Sequence, residues 1–343
     1  MNFIKIFLLL VCSWTAMNLH GQGKETVIAF GSCDDDDRPQ ELWNDIVKLK
    51  PAVWIWGGDN IYADSGDTLE LKRRYKKQES DPVYQKLLLT CPITGTWDDH
   101  DYGINDGGKF WTHKDESKKM AMEFLHLPKS DPAWHRPGIY NSTEIKDGKI
   151  KIKIINLDTR YFRDTIVKVF YKPEGTEKKE YKYEPNKTGD VLGEAQWKWL
   201  EDELKKSKST VNIVNSSIDV IPEEHRFEKW ANLPAARERF LKLLSGSKKK
   251  IILISGDRHI AEFSKIQLPG AKYPLYEFTS SGITHTWPQK WEEKNQYRIG
   301  QLVIEKNFGL IRISHSNGKT NVRMEVRGKD GAVFEQTSFS LED

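Results

Sequence analysis

Short apolar runs alternate along the chain with longer amphipathic segments. The apolar runs predict buried strands over residues 27–30, 52–56, 93–97, 150–157, 211–214, 251–254 and 275–278. The amphipathic segments predict helices over residues 39–48, 194–205 and 235–244. In the second of these helices, Trp197, Leu200 and Leu204 are spaced to share one face. This succession of strands and helices favours an α/β sandwich.

After residue 306 the pattern changes to short strands separated by turns. Residues 310–313, 322–326 and 332–339 predict strands, and the turn dipeptides Asn317-Gly318 and Asp330-Gly331 lie between them. The C-terminal part therefore predicts an antiparallel meander that completes a sheet. Residues 168–186 are charged and weakly periodic, which is typical of a surface excursion rather than of a linker between domains.

The first 22 residues differ from the rest of the chain. Lys5 supplies a positive charge, residues 6–17 are apolar, and the chain turns polar from Asn18. This order is typical of a secretory signal peptide, and the apolar stretch is short for a membrane span. A buried N-terminal helix is the alternative interpretation. We predict a signal peptide over residues 1–22, a secreted or periplasmic location, and one domain over residues 23–343.

The charges of the chain nearly cancel. Its 343 residues include 53 Lys and Arg against 50 Asp and Glu, a formal charge of +3. This balance gives no reason to expect nucleic acid or an anionic membrane as the main partner. After the predicted signal peptide we expect no stable membrane anchor, and the sequence leaves the oligomeric state open.

Removal of the signal peptide would leave two cysteines, Cys33 and Cys91. In an exported protein such a pair suggests a disulfide. Cys33, however, directly follows the predicted strand 27–30, where a thiol is also well placed to bind a metal ion. Both alternatives are open at this point, and the neighbouring motifs favour the metal.

Polar clusters follow several predicted strands at their carboxyl ends, which is the edge where open α/β sheets bind ligands. The clusters are Gly31-Ser32-Cys33, Gly57-Gly58-Asp59-Asn60-Ile61-Tyr62, Trp97-Asp98-Asp99-His100-Asp101, Asn215-Ser216-Ser217 and Gly256-Asp257-Arg258-His259. For the Gly-Asp and Asn-Ser clusters an ordinary turn is the alternative, since these residues are common in turns.

Three carboxylates occupy four positions at Asp98, Asp99 and Asp101. Such packing at a strand end is costly unless cations or solvent absorb the charge. A solvated acidic turn is the alternative, but the apolar strand before the cluster and the His within it favour a metal site. Asp257 and His259, two positions apart, are likewise placed to face one ion or two adjacent ions.

These clusters together supply sulfur, oxygen and nitrogen donors. The candidate metal ligands are Cys33, Asp59, Tyr62, Asp99, Asp257 and His259. This mixture is unlike an all-oxygen calcium cage and unlike a closed, Cys-rich zinc site. Paired metal ions suit phosphoryl chemistry because they hold the phosphate, lower the pKa of a water molecule and neutralise charge.

Further residues near these clusters are candidates for chemistry on a substrate. His100, next to Asp99, is placed to donate a proton to the leaving oxygen. Asn60, Arg160 and Arg258 are the candidates for substrate binding, the arginines through phosphate oxygens. For Arg160 the alternative is a structural pair with a carboxylate such as Asp158 or Asp164.

With these motifs in this order, the chain resembles the alkaline phosphatase D (PhoD)-like members of the calcineurin-like metallophosphatases. The resemblance also rests on Leu157-Asp158-Thr159-Arg160, Leu192-Gly193-Glu194-Ala195-Gln196-Trp197 and Asn307-Phe308-Gly309. It implies a layered α/β/β/α sandwich with mixed sheets. It also implies a di- or trinuclear metal cluster of Fe(III) with Ca(II), or of other divalent metals.

The resemblance further implies a role for each candidate ligand. Cys33, Asp59 and Tyr62 would bind the ferric ion, and Asp59 would bridge to calcium. Asp99 would be a further ligand, Asp257 and His259 would close the cluster, and His100 would be the proton donor.

The sequence therefore predicts a secreted metal-dependent phosphoric ester hydrolase, with alkaline phosphatase or phosphodiesterase activity, that uses metal-activated water. A phospholipase-like phosphodiesterase of the same fold is a close alternative. The 12 Trp residues are enough to line an apolar entrance, although a core location is commoner for aromatic residues. A non-catalytic exported binding protein and a glycan hydrolase that uses two carboxylates are alternatives from other classes.

Overall fold

The computed structural model describes residues 25–287 and 293–342. The predicted signal peptide lies outside the described residues. Within the described ranges, no helix combines the length and apolarity needed to cross a membrane.

The described part of the chain alternates strands and helices over most of its length. The strands are β1 (Thr26–Gly31), β2 (Val53–Gly57), β3 (Ile93–Thr96), β4 (Asn141–Asp147), β5 (Ile150–Asn156), β6 (Val167–Tyr171), β7 (Glu180–Glu184), β8 (Val211–Asn215), β9 (Ile251–Ser255), β10 (Ala261–Ile266), β11 (Leu275–Ser280), β12 (Arg298–Val303), β13 (Phe308–Ser316), β14 (Lys319–Arg327) and β15 (Val333–Glu342). The helices are α1 (Trp43–Lys48), α2 (Thr68–Glu79), α3 (Pro82–Thr90), α4 (Asp99–Tyr102), α5 (Lys114–Phe124), α6 (Gly193–Lys206) and α7 (Pro234–Gly246), with 3₁₀ turns at Pro132–His135, Trp230–Asn232 and Lys329–Gly331.

Two large mixed sheets form the centre of the fold. The first has the strand order β15-β14-β13-β1-β2-β3, in which β1, β2 and β3 are parallel and β13 to β15 form an antiparallel meander. The second has the order β12-β10-β11-β9-β8-β5-β4, with parallel pairing through β11, β9, β8 and β5. Strands β6 and β7 form a separate hairpin.

One apolar layer lies between the two large sheets. Successive side chains of a strand point to opposite faces, so Ile28 and Phe30 of β1 and Val53 and Ile55 of β2 all enter this layer. The Phe30 ring meets Phe278 of β11 edge-on, with the ring centroids 4.8 Å apart. The two sheets therefore share a core built from every second residue of their central strands.

The opposite faces of the same strands pack against helices. Trp54 and Trp56 of β2 contact Trp43 of α1, at ring-centroid distances of 5.0 and 5.4 Å. The indole N–H of Trp56 donates a hydrogen bond of 3.0 Å to the hydroxyl of Tyr84 in α3. Such aromatic contacts add to the free energy gained from burial of the rings.

Helices α6 and α7 cover the outer face of the second sheet. Ile155 of β5 and Val214 of β8 share an apolar cluster with Trp197 and Leu200 of α6 and with Phe240 of α7. The order of layers is thus helix, sheet, sheet, helix. This confirms the predicted α/β/β/α sandwich with mixed sheets.

The predicted strands coincide with β1, β2, β3, β5, β8, β9, β11, β13, β14 and β15 within a few residues. The prediction of a helix from residue 39 is wrong for its first turn, because α1 begins only at Trp43. The amide of Gln40 donates to the Asp35 carbonyl and its oxygen accepts from the Trp43 indole, which holds this segment as a turn. The charged residues 168–186 form the β6–β7 hairpin together with Val167.

Replacement of Trp43 by Ala should lower the free energy of unfolding by about 3–5 kcal/mol, because it empties a site enclosed by Trp54, Trp56 and Tyr84. Urea denaturation measures the change. The control is Leu89→Ala, whose side chain is 89% exposed and whose loss should cost less than about 0.5 kcal/mol. Equal effects of the two substitutions would contradict this account of the core.

Candidate metal centre

The loops after β1, β2, β3 and β9 meet at one edge of the two sheets. They approach so closely that glycine is required at two positions. A Cβ atom on Gly58, whose φ is +98°, would lie 2.6 Å from the Cβ of Asp98. A Cβ atom on Gly256 would lie 2.2 Å from the Ser32 hydroxyl oxygen and 3.1 Å from the Gly57 carbonyl oxygen. The strand ends predicted to carry the chemistry are therefore in contact.

Four of the predicted metal ligands have left-handed backbone conformations. Their φ angles are 61° at Cys33, 50° at Asp59, 64° at Asp257 and 53° at His259. Non-glycine residues rarely adopt this region, and those that do are held there by their surroundings, often at functional sites. The strain falls on the loops that follow β1, β2 and β9, at the same edge.

Cys33, Asp59 and Tyr62 form the sulfur side of the centre. The Cys33 Sγ lies 3.4 Å from Oδ2 of Asp59, and the other carboxylate oxygen accepts a 3.3 Å hydrogen bond from the His100 backbone N–H. Burial, and then the charge of Asp59, raises the pKa of the Cys33 thiol. Burial and the neighbouring Cys33 and Asp59 likewise raise the pKa of Tyr62. Cys33 and Cys91 are both free thiols.

Four carboxylates lie together beside this sulfur, three of them buried and the fourth, Asp257, half-buried. One oxygen each from Asp59, Asp98, Asp99 and Asp257 lies within 4.8 Å of the others. Burial raises the pKa of Asp59 and of Asp257 well above the usual range, and the charges of Asp98 and Asp99 add to the effect on Asp257. Several ionised carboxylates cannot share such a space without positive charge.

Three histidines and Tyr62 pack around this group. The Tyr62 ring stacks on His100 with centroids 4.1 Å apart, and His259 lies 4.5 Å from His285. Burial lowers the pKa of His259 well below its usual range, and the neighbouring His285 adds to this. A neutral imidazole keeps the lone pair that a metal ligand needs. His285 was not predicted as a site residue.

His100 is held by a carboxylate that the sequence analysis missed. Its Nδ1 lies 2.8 Å from Oδ1 of Asp64. Burial alone would lower the pKa of His100, but the charges of Asp99, Asp59 and Asp64 outweigh burial and raise it to about 11. Asp64 therefore fixes the orientation of the ring that is predicted to donate a proton.

Arg160 is fully buried among carboxylates. Its Nη1 lies 2.6 Å from Oε2 of Glu228, its Nε contacts Asp98, and its Nη2 lies 3.7 Å from Oδ1 of Asp99. Its guanidinium therefore pairs with carboxylates, but not with Asp158 or Asp164, which were the partners considered from the sequence. Oxygens of Asp99, Asp106 and Glu228 form a further group within 4.8 Å of one another.

Arg258 and Asn60 are also committed to contacts within the protein. Arg258 donates a 2.6 Å hydrogen bond to Glu293, and its Nε lies 3.6 Å from Asp219. The side-chain N–H₂ of Asn60 donates to Oδ2 of Asp101 at 2.6 Å and to the Thr96 carbonyl at 3.0 Å. Substrate contact by Asn60, Arg160 and Arg258 stays a prediction.

Comparison with sequence families identifies the family of the chain that carries this centre. The sequence profile described as PhoD-like phosphatase matches residues 28–328 of this chain. The chain belongs to the PhoD-like phosphatase family. No curated protein matches it.

Similar solved structures cover most of the chain at low identity. One is a predicted phosphoesterase from Streptococcus pneumoniae TIGR4, with 8% identity, a TM-score of 0.32, and coverage of 93% of this chain and 99% of that chain. A Vps29 double mutant from Entamoeba histolytica has 10% identity, a TM-score of 0.32, and coverage of 92% and 99%. Vps29 from Chaetomium thermophilum has 9% identity, a TM-score of 0.31, and coverage of 92% and 93%. These low TM-scores carry no argument about function.

The donors present in this PhoD-like chain fit metal ions. Several buried polar atoms have no hydrogen-bond partner within the described ranges, and they are Oδ2 of Asp98, Oδ1 of Asp99, Oδ1 of Asn60, the hydroxyl of Tyr62 and Nδ1 of His259. Buried acceptors and donors of this kind normally have partners. Carboxylate oxygens, an imidazole nitrogen and a thiol together are suitable ligands for transition metals and calcium.

Some residues of this site were predicted from the sequence, and others were not. The structure brings Cys33, Asp59, Tyr62, Asp99, His100, Asp257 and His259 to one edge. Asp98 stood in a motif but was not chosen as a ligand, although the three adjacent carboxylates were a signal for it. Asp106 and Glu228 belong to no cluster at a predicted strand end, so the sequence offered no signal for them.

Replacement of Asp59 by Asn should remove more metal than replacement of Asp257 by Asn. Asp59 contacts both the sulfur side and the His100 side of the centre, which suits a residue that bridges two ions. We expect the affinity for metal to fall by more than about 100-fold, which exceeds the usual effect of a supporting residue. Elemental analysis and metal titration measure this. The control is Asp202→Asn, far along the chain in α6, and full metal content in Asp59→Asn would contradict the bridging role.

Proposed function

We propose that this chain is an exported, metal-dependent phosphoric ester hydrolase that acts on phosphate monoesters or diesters. The observation that carries the proposal is the group of four carboxylates, the buried Asp59, Asp98 and Asp99 and the half-buried Asp257, at the strand ends of a PhoD-like phosphatase chain. Their mutual repulsion requires cations, and a cationic centre of this kind suits a phosphate ester. Export rests on the pattern of residues 1–22.

We propose Fe(III) and Ca(II) as the ions of this centre. The donors of Cys33 and Tyr62, which lie on the same side as Asp59, suit a trivalent transition metal, whereas the remaining carboxylates suit calcium. When bound, such ions supply Lewis-acid charge that activates water and neutralises negative charge on the phosphoryl group. Asp99, Asp257 and His259 would complete the set of ligands.

His100 would act as the general acid. Asp64 holds Nδ1, so the proton given to the leaving oxygen would come from Nε2. The stacked Tyr62 ring restricts rotation of the imidazole. Cations bound at Asp59 and Asp99 would neutralise these carboxylates. The pKa of His100 would then fall from about 11 towards the range in which a general acid is effective.

The two buried arginines, Arg160 and Arg258, would compensate the negative charge of neighbouring carboxylates. Arg160 lies between Asp98, Asp99 and Glu228, and Arg258 lies between Asp219 and Glu293. The position of Arg160 supports a role in holding the carboxylates of the centre in place, whereas Arg258 pairs with two carboxylates outside those groups. A substrate phosphate that reached either guanidinium would have to compete with carboxylates that are already paired.

The six fully buried tryptophans give no support to the alternative of a phospholipase, whereas Trp287 is 39% exposed and its ring centroid lies 5.2 Å from that of His259. Trp43, Trp54, Trp56, Trp97, Trp197 and Trp230 are all fully buried in the core. These indoles stabilise the layers of the fold and do not line an entrance. The substrate feature that the proposal specifies is the phosphate ester itself.

Chelation tests the proposal directly. The protein is purified from the extracytoplasmic fraction, where mass spectrometry should find an N terminus near residue 23. It should hydrolyse nitrophenyl phosphate or bis-nitrophenyl phosphate, lose this activity after metal removal, and regain it when iron and calcium return, because the buried carboxylates need cations. Full activity after verified metal removal, or hydrolysis of glycosides instead, would contradict the proposal.

The substitution His100→Asn distinguishes a proton donor from a metal ligand. A nitrophenolate leaves without a proton, whereas an alkoxide needs one. If His100 is the general acid, hydrolysis of alkyl phosphates should fall by about 10²–10⁴-fold, with a smaller loss on nitrophenyl phosphate and with metal retained. Steady-state kinetics on both substrates and elemental analysis measure these effects. Equal loss on both substrates together with loss of metal would assign His100 as a ligand, as its proximity to Asp59 and Asp99 also allows.

A further inference from the structure

The β6–β7 hairpin carries a row of aromatic side chains on one face. The antiparallel register places Lys168 opposite Tyr183 and Phe170 opposite Tyr181. Residues two apart in a strand share a face, so these four side chains lie on the same side. The ring centroid of Tyr181 lies 6.2 Å from that of Phe170 and 5.9 Å from that of Tyr183. We call Phe170, Tyr181 and Tyr183 the aromatic strip.

Lys168 joins this strip to one side of the metal centre. Its ammonium lies 4.8 Å from the centroid of Tyr181 and 5.5 Å from that of Tyr183. The same ammonium donates to the carboxylate of Asp106, one of whose oxygens lies within 4.8 Å of oxygens of Asp99 and Glu228. The aromatic face of the hairpin therefore turns towards the carboxylates of the centre.

Phe227 joins the strip to the other side of the centre. Its ring centroid lies 6.5 Å from that of Tyr181, and the guanidinium of Arg258 lies 4.2 Å from the Phe227 ring. Arg258 stands in the chain between two predicted ligands, Asp257 and His259. The aromatic strip, together with Phe227, thus lies between the loop that carries Asp106 and the loop that carries Arg258.

The outer part of this region is open to solvent. Phe170 is 66% exposed and Tyr181 is half-buried, although both are large aromatic residues. A cavity of about 480 Å³ opens beside Phe227 and Arg226, both of which contact the Tyr181 ring, whereas Phe170, Tyr181 and Tyr183 are not part of its lining. This volume lies within the usual range for sites that bind small molecules. Phe227 therefore joins the exposed aromatic surface of the hairpin to this space.

We propose that the aromatic strip, with Phe227, binds an aromatic group on the alcohol side of the phosphate ester. This inference rests on the proposed function and specifies its substrate class. An acyl chain is disfavoured because Lys168 and Arg226 lie over the rings, and an apolar chain placed there would desolvate these two cations. An aromatic ring instead offers its negative face to the cations and stacks on the side chains.

Two phosphonates of similar size test the subsite without any chemical step. Phenylphosphonate is flat and aromatic, cyclohexylphosphonate is not aromatic, and the P–C bond of both resists hydrolysis. We expect the metal-loaded wild-type protein to bind phenylphosphonate roughly threefold to tenfold more tightly, as calorimetry would measure. Phe170→Leu and Tyr181→Leu keep an apolar side chain but should reduce the ratio of the two dissociation constants towards one.

Phe334→Leu is the matched control, because Phe334 is a partly exposed aromatic residue on β15, in the first large sheet. The control should keep the wild-type ratio. Equal affinities for the two phosphonates in the wild type would overturn the subsite, as would an unchanged ratio in both hairpin variants. Hydrolysis of nitrophenyl phosphate and of bis-nitrophenyl phosphate separates the two levels. Activity on either substrate without a preference for phenylphosphonate removes only the subsite, whereas metal-loaded protein that is inactive on both counts against the proposed function.

Discussion

Repulsion among Asp59, Asp98, Asp99 and Asp257 is the constraint on which most of the surrounding structure depends. Ionised carboxylates in a buried space raise one another's free energy unless positive charge lies nearby. Part of that charge comes from the protein, because Arg160 reaches Asp98 and Asp99 while it also pairs with Glu228. Glu228 is in turn shared with Arg163, whose Nε lies 2.9 Å from Oε1. The centre is therefore one part of a wider network of buried ions, in which removal of one partner leaves another charge unpaired.

The fold provides the rigidity that such a centre needs. Left-handed conformations at Cys33, Asp59, Asp257 and His259 are unfavourable for side chains with a Cβ atom, and they persist only where packing determines the backbone. The strands that precede these loops are buried on both faces: β1 and β2 lie between the second sheet and helices, and β9 lies between the first sheet and helices α6 and α7. These strands have little freedom to move, so they hold the adjoining loops in their unfavourable backbone conformations.

The sequence predicted the parts of the fold and the site that depend on local pattern. The strands before Cys33, Asp59, Asp99 and Asp257 are continuous apolar runs, and parallel strands bring their carboxyl ends to one edge, so the grouping of these candidate ligands could be predicted without a structure. Helix α3 could also have been predicted, since Asp81 caps it and Pro82 occupies its first turn.

The residues that were missed reach the site from irregular segments. Asp64, Asp106, Glu228 and His285 lie in loops whose path is set by tertiary packing rather than by a repeating pattern. Glu228, for example, stands in the long connection between β8 and α7, and only the position of Arg160 shows why a buried carboxylate is there. Sequence periodicity carries no information about such contacts.

The two-sided burial of β2 also determines its register. Val53 and Ile55 face the second sheet, whereas Trp54 and Trp56 face the helices. A shift of β2 by one residue would exchange these faces and bring two indoles into a layer now filled by smaller aliphatic side chains and Phe30. Asp59 stands two residues after the end of β2. The same shift would therefore point its side chain away from Cys33 and Asp99. The difference in bulk between tryptophan and the branched aliphatic residues therefore sets the register of β2, and through that register it sets the direction of the Asp59 carboxylate.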